Sequence, residues 1–148
     1  MQNFSETVEI SREPERVWCA LTIPSEVVCW DTGIIEALDA PADYPRPGQH
    51  VRWRYRLGPI PMLLHDRPTE VVSATTFRSS IHLGPFDFDE TYTLAAVGSS
   101  STELTAALSL SSGVAVVGGW IERVIGRPLA QATVRTSLEA IKRHCESG

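Results

Sequence analysis

Glu90 is the residue of this sequence whose position best suits proton chemistry. It lies between Phe88 and Tyr92 in an alternating segment, so the two-residue period of a strand places its carboxyl on the apolar face. A carboxyl among apolar side chains takes up a proton more readily than one in water, as a general acid or base requires. We therefore predict that Glu90 is a single acid pointing into the interior. The alternative is that Glu90 only shapes the core, through bonds to Tyr55, Ser79 or buried water.

The strand that faces Glu90 can be identified from a two-residue turn. Gly84 and Pro85 separate the alternating segments 76–83 and 86–94, and a loop of this length is typical of a tight β-hairpin. One face then becomes apolar on both strands, and this agreement supports the register. The predicted pairs are Ile81 with Phe88, Ser79 with Glu90 and Phe77 with Tyr92 on the inner face, and His82 with Asp87, Ser80 with Asp89 and Arg78 with Thr91 on the outer face. Ser79 is thereby the expected hydrogen-bond partner of Glu90.

Several aromatic side chains share the inner face with Glu90. Aromatic walls with a few polar groups suit an aromatic or polycyclic ligand, although plain core packing explains some of these positions equally well. The predicted ligand-binding residues are Trp53, Tyr55, Phe77, Ser79, Ile81, Phe88, Glu90, Tyr92, Leu108, Trp120 and Val124.

Other residue types that commonly carry chemistry show no productive spacing. The histidines His50, His65, His82 and His144 are scattered, and none has the paired spacing of a metal site. We predict no metal and no cofactor, and we interpret His82 and Asp87 as a surface pair. The cysteines Cys19, Cys29 and Cys145 form no CxxC motif, so reduced thiols that mostly fill the core are expected.

The composition bounds the function classes. The 148 residues suit one domain, residues 1–148, and 43% hydrophobic with 21% charged residues is ordinary for a globular protein. The net charge of −5 argues against nucleic-acid binding. Residues 104–121 lack charge, but the Ser-Ser-Gly within them favours a strand, a turn and a helix start over a membrane span. Because the N-terminus lacks the features of a signal peptide, we expect a cytoplasmic protein without stable membrane insertion.

Periodicity predicts the order of the elements. We expect a strand, two short helices, six strands and a long helix, which is an α+β fold whose sheet is an antiparallel meander. The predicted strands are residues 3–10, 34–38, 50–57, 62–73, 76–83, 86–94 and 102–111, and the predicted helices are residues 14–22, 24–30 and 114–144. Gly126 and Pro128 are expected to kink the last helix or divide it in two. Pro68 implies an edge strand or a bulge.

Two surface features remain open from the sequence. Arg52, Arg54 and Arg56 alternate with apolar residues, and we interpret them as a solvated outer face of the sheet. Residues 58–64 are too apolar for an ordinary solvated turn. They form a lid at a cavity mouth, a contact surface in a homodimer, or a strand whose Met62 and Leu64 face inward.

The two ends of the chain resemble a known superfamily. The stretch Ile10-Ser11-Arg12-Glu13-Pro14-Glu15-Arg16-Val17-Trp18-Cys19-Ala20-Leu21-Thr22, with Pro24 and Trp30 after it, resembles START-like (SRPBCC, Bet v 1-like) proteins, in particular the polyketide cyclase/dehydrase and lipid-transport branch. Residues 119–123 and 138–143 look like the long closing helix of those proteins. The resemblance implies a helix-grip fold: a curved seven-stranded antiparallel sheet wrapped on a long C-terminal helix, with a cavity between them.

The resemblance and the residues together give three functional hypotheses. The first is a carrier or sensor that binds a lipid, a polyketide-like molecule or an aromatic molecule in the cavity, with Glu90, Ser79 and Tyr55 orienting a polar group. The second is a polyketide cyclase or dehydratase that uses Glu90 as its general acid/base. The third is a protein-interaction module of the chaperone-activator type. A shared fold does not select among them.

Overall fold

One antiparallel sheet dominates the architecture. The computed structural model describes residues 2–112 and 127–147, and its seven strands follow the order β1-β7-β6-β5-β4-β3-β2. All six strand pairings are antiparallel, as a meander requires. The strands are β1 (Gln2–Ile10), β2 (Ile34–Ala37), β3 (Val51–Leu57), β4 (Ile60–Val72), β5 (Thr76–Leu83), β6 (Phe86–Val97) and β7 (Ser101–Ser112), and the helices are α1 (Pro14–Thr22), α2 (Pro24–Trp30) and α3 (Arg127–Ser147). The α+β prediction is confirmed.

The β5–β6 hairpin has the register that its two-residue turn predicts. Leu83 pairs with Phe86, and Ser79 lies directly across from Glu90. Gly84 adopts a φ of +58°, a left-handed conformation that glycine accepts without a steric penalty. Because the turn fixes the register, the residues predicted to point inward lie on one face of both strands.

Strand β4 shows what a proline does inside a sheet. It pairs with β3 on one side and β5 on the other, so it is not the edge strand that Pro68 allowed. Its register with β5 shifts between Pro68 and Glu70 instead. Proline has no N–H to donate to a neighbouring strand, and this irregularity accommodates it. The bulge is therefore the correct alternative.

The short helices α1 and α2 both begin at a proline. Pro14 and Pro24 occupy the first turn, where an N–H would have no helical partner. The indole N–H of Trp30, at the end of α2, donates a buried hydrogen bond of 2.7 Å to the carbonyl oxygen of Ala20 in α1. This bond holds the two helices together over the core.

Helix α3 closes the core from the C-terminal side. Its Val134, Leu138 and Ile141 are buried among the apolar residues of the sheet and of α1 and α2. The helix extends past the predicted end at His144 to Ser147. Residues 113–126, which include Trp120, Val124 and Gly126, lie outside the described residues. The described part of the predicted helix 114–144 therefore begins at Arg127.

The outer face of the sheet is charged, as the arginine alternation predicts. Arg52 and Arg54 are exposed and form ion pairs with Asp39 at 2.8 Å and with Glu36 at 2.9 Å. Isolated pairs of this kind contribute little to stability.

Three of the four histidines, His50, His65 and His82, are not scattered, contrary to the prediction. Nε2 of His50 lies 2.8 Å from Nδ1 of His65, and the rings of His65 and His82 have centroids 5.8 Å apart. His82 pairs with Asp87 as predicted. His50, His65 and His82 form a row because the pairing of β3, β4 and β5 brings residues distant in sequence to adjacent positions on one face of the sheet. The pKa of His65 is lowered, mainly by burial and by neighbouring His50.

Residues 58–64 form the β3–β4 turn and the start of β4. Met62 and Leu64 are half-buried, so the interpretation as inward-facing strand residues holds for them. Ile60, at the start of β4, and Leu63, on the other face of the strand, are exposed, at 57% and 39%. The homodimer contact stays a prediction.

Two further expectations concern cysteines and the membrane. All three cysteines are free, but only Cys145 is buried, whereas Cys19 is half-buried and Cys29 is exposed. The prediction that they mostly fill the core is therefore wrong for Cys29. Among the described residues, no helix has both the length and the apolar character needed to cross a bilayer.

Candidate functional site

A cavity lies between the inner face of the sheet and the helices. Strands β3 to β7 supply most of its wall, and Trp30 of α2 and Ser137 of α3 close it from the helical side. It encloses about 120 Å³. An engineered apolar cavity of about 150 Å³ is known to admit benzene, so this space is of the order of one aromatic ring. It is too small to enclose a whole lipid or polycyclic molecule.

Most of the predicted ligand-binding residues surround this cavity. Nine of them line it: Trp53, Tyr55, Phe77, Ser79, Ile81, Phe88, Glu90, Tyr92 and Leu108. Trp120 and Val124 lie outside the described residues. The pleat of β3, β5, β6 and β7 brings the nine together, since each occupies an inward position of its strand.

Asp66 on β4 is the most heavily hydrogen-bonded group in the cavity wall. Its carboxylate accepts a bond from the Tyr44 hydroxyl at 2.6 Å and one from the Trp53 indole N–H at 3.0 Å. The Ser79 hydroxyl donates to its other oxygen. The prediction that Ser79 bonds to Glu90 is therefore wrong. The inward turn of Asp66 from the adjacent strand gives Ser79 a closer acceptor.

Glu90 on β6 has a different environment. It is half-buried and lines the cavity, and among the described side chains only the Tyr92 hydroxyl acts to lower its pKa. Removal from bulk water, together with the charges of Asp31 and Asp66, raises the pKa of Glu90 to about 8. Glu90 is therefore largely protonated at neutral pH and can give or accept a proton near pH 8. It is not the single acid that the sequence predicted.

Asp31 follows α2 and is the third carboxyl in the wall. Its Oδ1 accepts a 3.0 Å bond from the Gly33 backbone N–H. Burial raises the pKa of Asp31 despite this bond. The charge of Asp31, after burial itself, also contributes to raising the pKa of the Tyr55 hydroxyl to about 12. Three carboxyl groups thus interact across one small cavity.

The cavity adjoins an open cleft between α3 and the ends of α2 and β3. Trp30, Asp31, Tyr55 and Ser137 border both spaces. A molecule with one end group in the cavity would therefore have room for its remainder in the cleft. These four residues separate the enclosed part of the site from the open part.

Three functional side chains were missed from the sequence. Asp66 could have been found, because alternation from Leu64, for which an inward orientation was considered, places Asp66 on the same face. Asp31 stands at a helix end, where periodicity makes no prediction about its direction. Tyr44 lies in the proline-rich loop before β3, and no local pattern indicates that it reaches Asp66.

The described residues favour proton and polar-group chemistry. Among them, no group of three or more His, Cys, Asp and Glu side chains is arranged to hold a metal ion. The acidic and phenolic groups of the cavity can orient a polar ligand group or exchange a proton with it.

The sheet, the C-terminal helix and the cavity between them define a helix-grip protein. The family described as polyketide cyclase/dehydrase and lipid transport matches residues 1–146. Since the match spans nearly the whole chain, the protein belongs to this family, and the START-like resemblance is confirmed. Hydrophobic ligand binding or a cyclase-type role is what this family suggests. No curated protein sequence matches the chain.

Three solved structures illustrate this fold at low sequence identity to the chain. A START superfamily protein from Mycobacterium smegmatis superimposes with a TM-score of 0.76 at 16% identity, covering 98% of this chain and 97% of that one. The Aha1 dimer from Colwellia psychrerythraea gives 0.71 at 15% identity, covering 99% and 97%. DynU16, a protein in the dynemicin biosynthetic locus, gives 0.72 at 20% identity, covering all of this chain and 48% of DynU16. Likeness at this identity shows the fold alone.

Proposed function

We propose that this protein is a carrier or sensor that binds an apolar small molecule in the cavity between the sheet and α3. The observation that carries the proposal is a partly enclosed space whose described walls are mainly aromatic and aliphatic side chains, with a few polar groups. Such walls supply binding free energy through burial, about 25 cal/mol for each Å² of apolar surface, and polar groups fix the orientation.

The cavity volume limits the ligand. A space of about 120 Å³ holds one ring or a short branched group. We therefore propose a small aromatic ligand, or a larger molecule that places one ring-sized end group in the cavity and the rest in the adjoining cleft. A lipid or a polyketide-like molecule fits the proposal only in the second form.

The test is native mass spectrometry of the protein purified from its source, compared with a cavity-filling variant. We expect the wild type to retain a bound small molecule and Ile81→Trp to lose it, because Ile81 lines the cavity. His82→Trp is the matched control, since His82 is the next residue and is exposed on the outer face. Both variants are first checked for native near-UV circular dichroism. The proposal fails if neither a co-purifying molecule nor any of a panel of single-ring aromatic molecules binds to the wild type.

A cyclase- or dehydratase-type enzyme is the second candidate. The observation that favours it is Glu90, a carboxyl in the cavity whose pKa of about 8 suits proton transfer. The two candidates differ in what becomes of the ligand. A carrier releases its ligand unchanged, whereas an enzyme releases a product of altered structure. Glu90→Gln would abolish that conversion while the variant still binds the substrate.

A further inference from the structure

The charged groups of the cavity wall all carry the same sign. Asp31, Asp66 and Glu90 face the cavity, whereas none of the described residues lining it is a Lys, Arg or His. Burying several carboxyl groups without a counter-charge is costly. The described part of the wall therefore lacks the positive group that would balance them.

The carboxyl groups are not equally satisfied. Asp66 has three side-chain donors, so its acceptor positions are largely occupied. Glu90 has no such set of donors among the described side chains, of which only the Tyr92 hydroxyl acts to lower its pKa. An ionised carboxylate has about four acceptor sites, so Glu90 can accept further hydrogen bonds from a group inside the cavity.

The aromatic part of the cavity wall also suits a positively charged group. Trp53, Tyr44, Phe77, Tyr55 and Tyr92 present aromatic surface to the cavity. Aromatic faces attract cations, most strongly where water is excluded. An anionic group would meet three carboxyl groups there.

We infer that the end group bound in the cavity is a protonated amine carried on a single aromatic ring, with its ammonium group on Glu90 and Asp31. This inference rests on the proposed function and specifies its ligand. The ring occupies the aromatic walls, and the ammonium N–H groups donate to the carboxylate oxygens.

Binding is then coupled to the release of a proton. Near pH 7 the free site holds Glu90 as the acid, and on binding the Glu90 O–H bond breaks, the proton leaves to solvent and the carboxylate pairs with the ammonium. Among the described residues, the titratable groups facing Glu90 are Asp31 after α2, Asp66 on β4, Tyr55 on β3, Tyr92 on β6 and Tyr44 in the loop before β3. The tyrosines all have raised pKa values, because burial disfavours their charged forms, and they remain neutral throughout. The affinity therefore rises with pH by up to about tenfold per unit below pH 8.

The experiment compares three probes of similar shape by isothermal titration calorimetry at pH 7. Benzylamine is the cation, benzyl alcohol the neutral analogue and benzoate the anion. We expect benzylamine to bind at least about tenfold more tightly than benzyl alcohol, and benzoate to bind most weakly. Titrations in two buffers of different ionisation enthalpy should show a proton released with benzylamine and none with benzyl alcohol.

Two variants locate the effect. Glu90→Gln should remove the preference for benzylamine, the proton release and the pH dependence, while the affinity for benzyl alcohol stays within about threefold. Asp89→Asn is the matched control, because Asp89 pairs with Arg78 at 3.0 Å on the outer face and should leave all three affinities unchanged. Equal or tighter binding of benzyl alcohol overturns the cation inference and leaves the proposed function standing. Failure of all three probes to bind the wild type overturns the cation inference, and it contradicts the proposed function as well when no molecule co-purifies with the protein.

Discussion

Two carboxyl groups in one cavity behave differently because their donors differ. Asp66 receives hydrogen bonds from Tyr44, Trp53 and Ser79, so its surroundings compensate for the loss of water. Glu90 lies across the sheet from Ser79 but receives none of these bonds, and its pKa rises to about 8. The first group organises the wall, and the second remains free to change its protonation state.

The protonation of Glu90 predicts how stability depends on pH. Its pKa is about 8 in the folded protein and near the usual 4.5 in the unfolded chain, so the folded state holds the proton more tightly between these values. Stability linked to Glu90 is therefore complete below pH 4.5 and is lost as the pH rises towards 8. Glu90→Gln should be more stable than the wild type at pH 8, by a difference that grows by up to about 1.4 kcal/mol per pH unit between about pH 5 and pH 8.

Urea denaturation of both proteins at pH 5 and pH 8 measures this difference. Asp89→Asn, on the outer face, should show no comparable growth in stability between the two pH values. A Glu90→Gln variant whose advantage is the same at both pH values would contradict the raised pKa.

The Asp66 hydrogen bonds predict a cost for removing one donor. Ser79→Ala leaves the carboxylate without one buried partner and should lower the free energy of unfolding by about 1–2 kcal/mol. Ser80→Ala, on the opposite face of β5, should change it by less than about 0.5 kcal/mol. Thermal denaturation at pH 7 compares the two. Equal effects would mean that the Ser79 bond contributes nothing specific.

At the scale of single residues, the sequence predicts which face of the sheet a strand side chain points to. It predicts the hydrogen-bond partner of that side chain less well. Alternation gave the inward position of Glu90 and eight further lining residues, because the strand period is local. It assigned Ser79 the wrong acceptor, since the Asp66 carboxylate comes from a strand whose pairing with β5 includes a bulge at Pro68. Partners across a sheet depend on registers that a bulge alters.

The pairing of β2 with β3 determines the position of the Tyr55 side chain. Ile34 pairs with Tyr55, and the Tyr55 ring lies over Gly33 just before the strand. A Cβ added at Gly33 would be 2.5 Å from Cζ of that ring, far inside van der Waals contact. The absence of a side chain at Gly33 therefore makes room for the ring at the border between cavity and cleft.

Gly33→Ala should displace the Tyr55 ring and destabilise the protein. We expect a loss of about 1–3 kcal/mol, typical of overpacking a filled site. The same substitution in a Tyr55→Ala background should cost less than about 0.5 kcal/mol, because the clashing atoms are gone. Denaturant unfolding of the four proteins of this double-mutant cycle gives the coupling. Additive effects would show that the ring does not depend on Gly33.

At the scale of the elements, the sequence predicts well the bounds of those that begin or end at a proline or a tight turn. The β5–β6 hairpin follows from a two-residue turn, and α1 and α2 follow from prolines in their first turns. The row formed by His50, His65 and His82 was not foreseen, because it requires the pairing of three strands. Tyr44 was missed for a similar reason, since its loop has no period that fixes a side chain's direction.

At the scale of the whole molecule, Glu26 of α2 joins this helix to α1 and α3. Its Oε1 lies 2.7 Å from Nη1 of Arg16 in α1 and 2.8 Å from Nε2 of His144 in α3. Burial alone would raise the pKa of Glu26, but the hydrogen bonds from His144 and Arg16 lower it. One carboxylate therefore helps hold α3 against the helical pair.

Glu26→Gln should loosen this junction. We expect a loss of about 1–2 kcal/mol at pH 7, because a charged acceptor shared by two donors is replaced by a neutral amide. With a lowered pKa, the contribution of Glu26 is complete above pH 4.5 and is lost as the pH falls below it. Chemical denaturation should thus show a gap between variant and wild type at pH 7 that narrows towards pH 3. Glu15→Gln, exposed on α1, should show no gap at either pH.

The last turn of α3 is also fastened to the beginning of the chain. The Ser11 backbone N–H donates to the Glu146 carboxylate at 2.8 Å, and Nζ of Lys142 donates to the Glu9 carbonyl oxygen at 2.7 Å. Between these contacts, Cys145 is fully buried, and burial raises the pKa of its thiol to about 11. A thiol in that state is a poor nucleophile towards alkylating reagents.

The reaction of Cys145 with a thiol reagent can therefore report when the last turn of α3 detaches. A maleimide should modify the exposed Cys29 within the mixing time. Modification of Cys145 requires the last turn of α3 to detach from the protein first. Peptide mapping over hours would follow the slow Cys145 adduct, with the Cys29 adduct as the internal reference and the half-buried Cys19 followed on its own peptide.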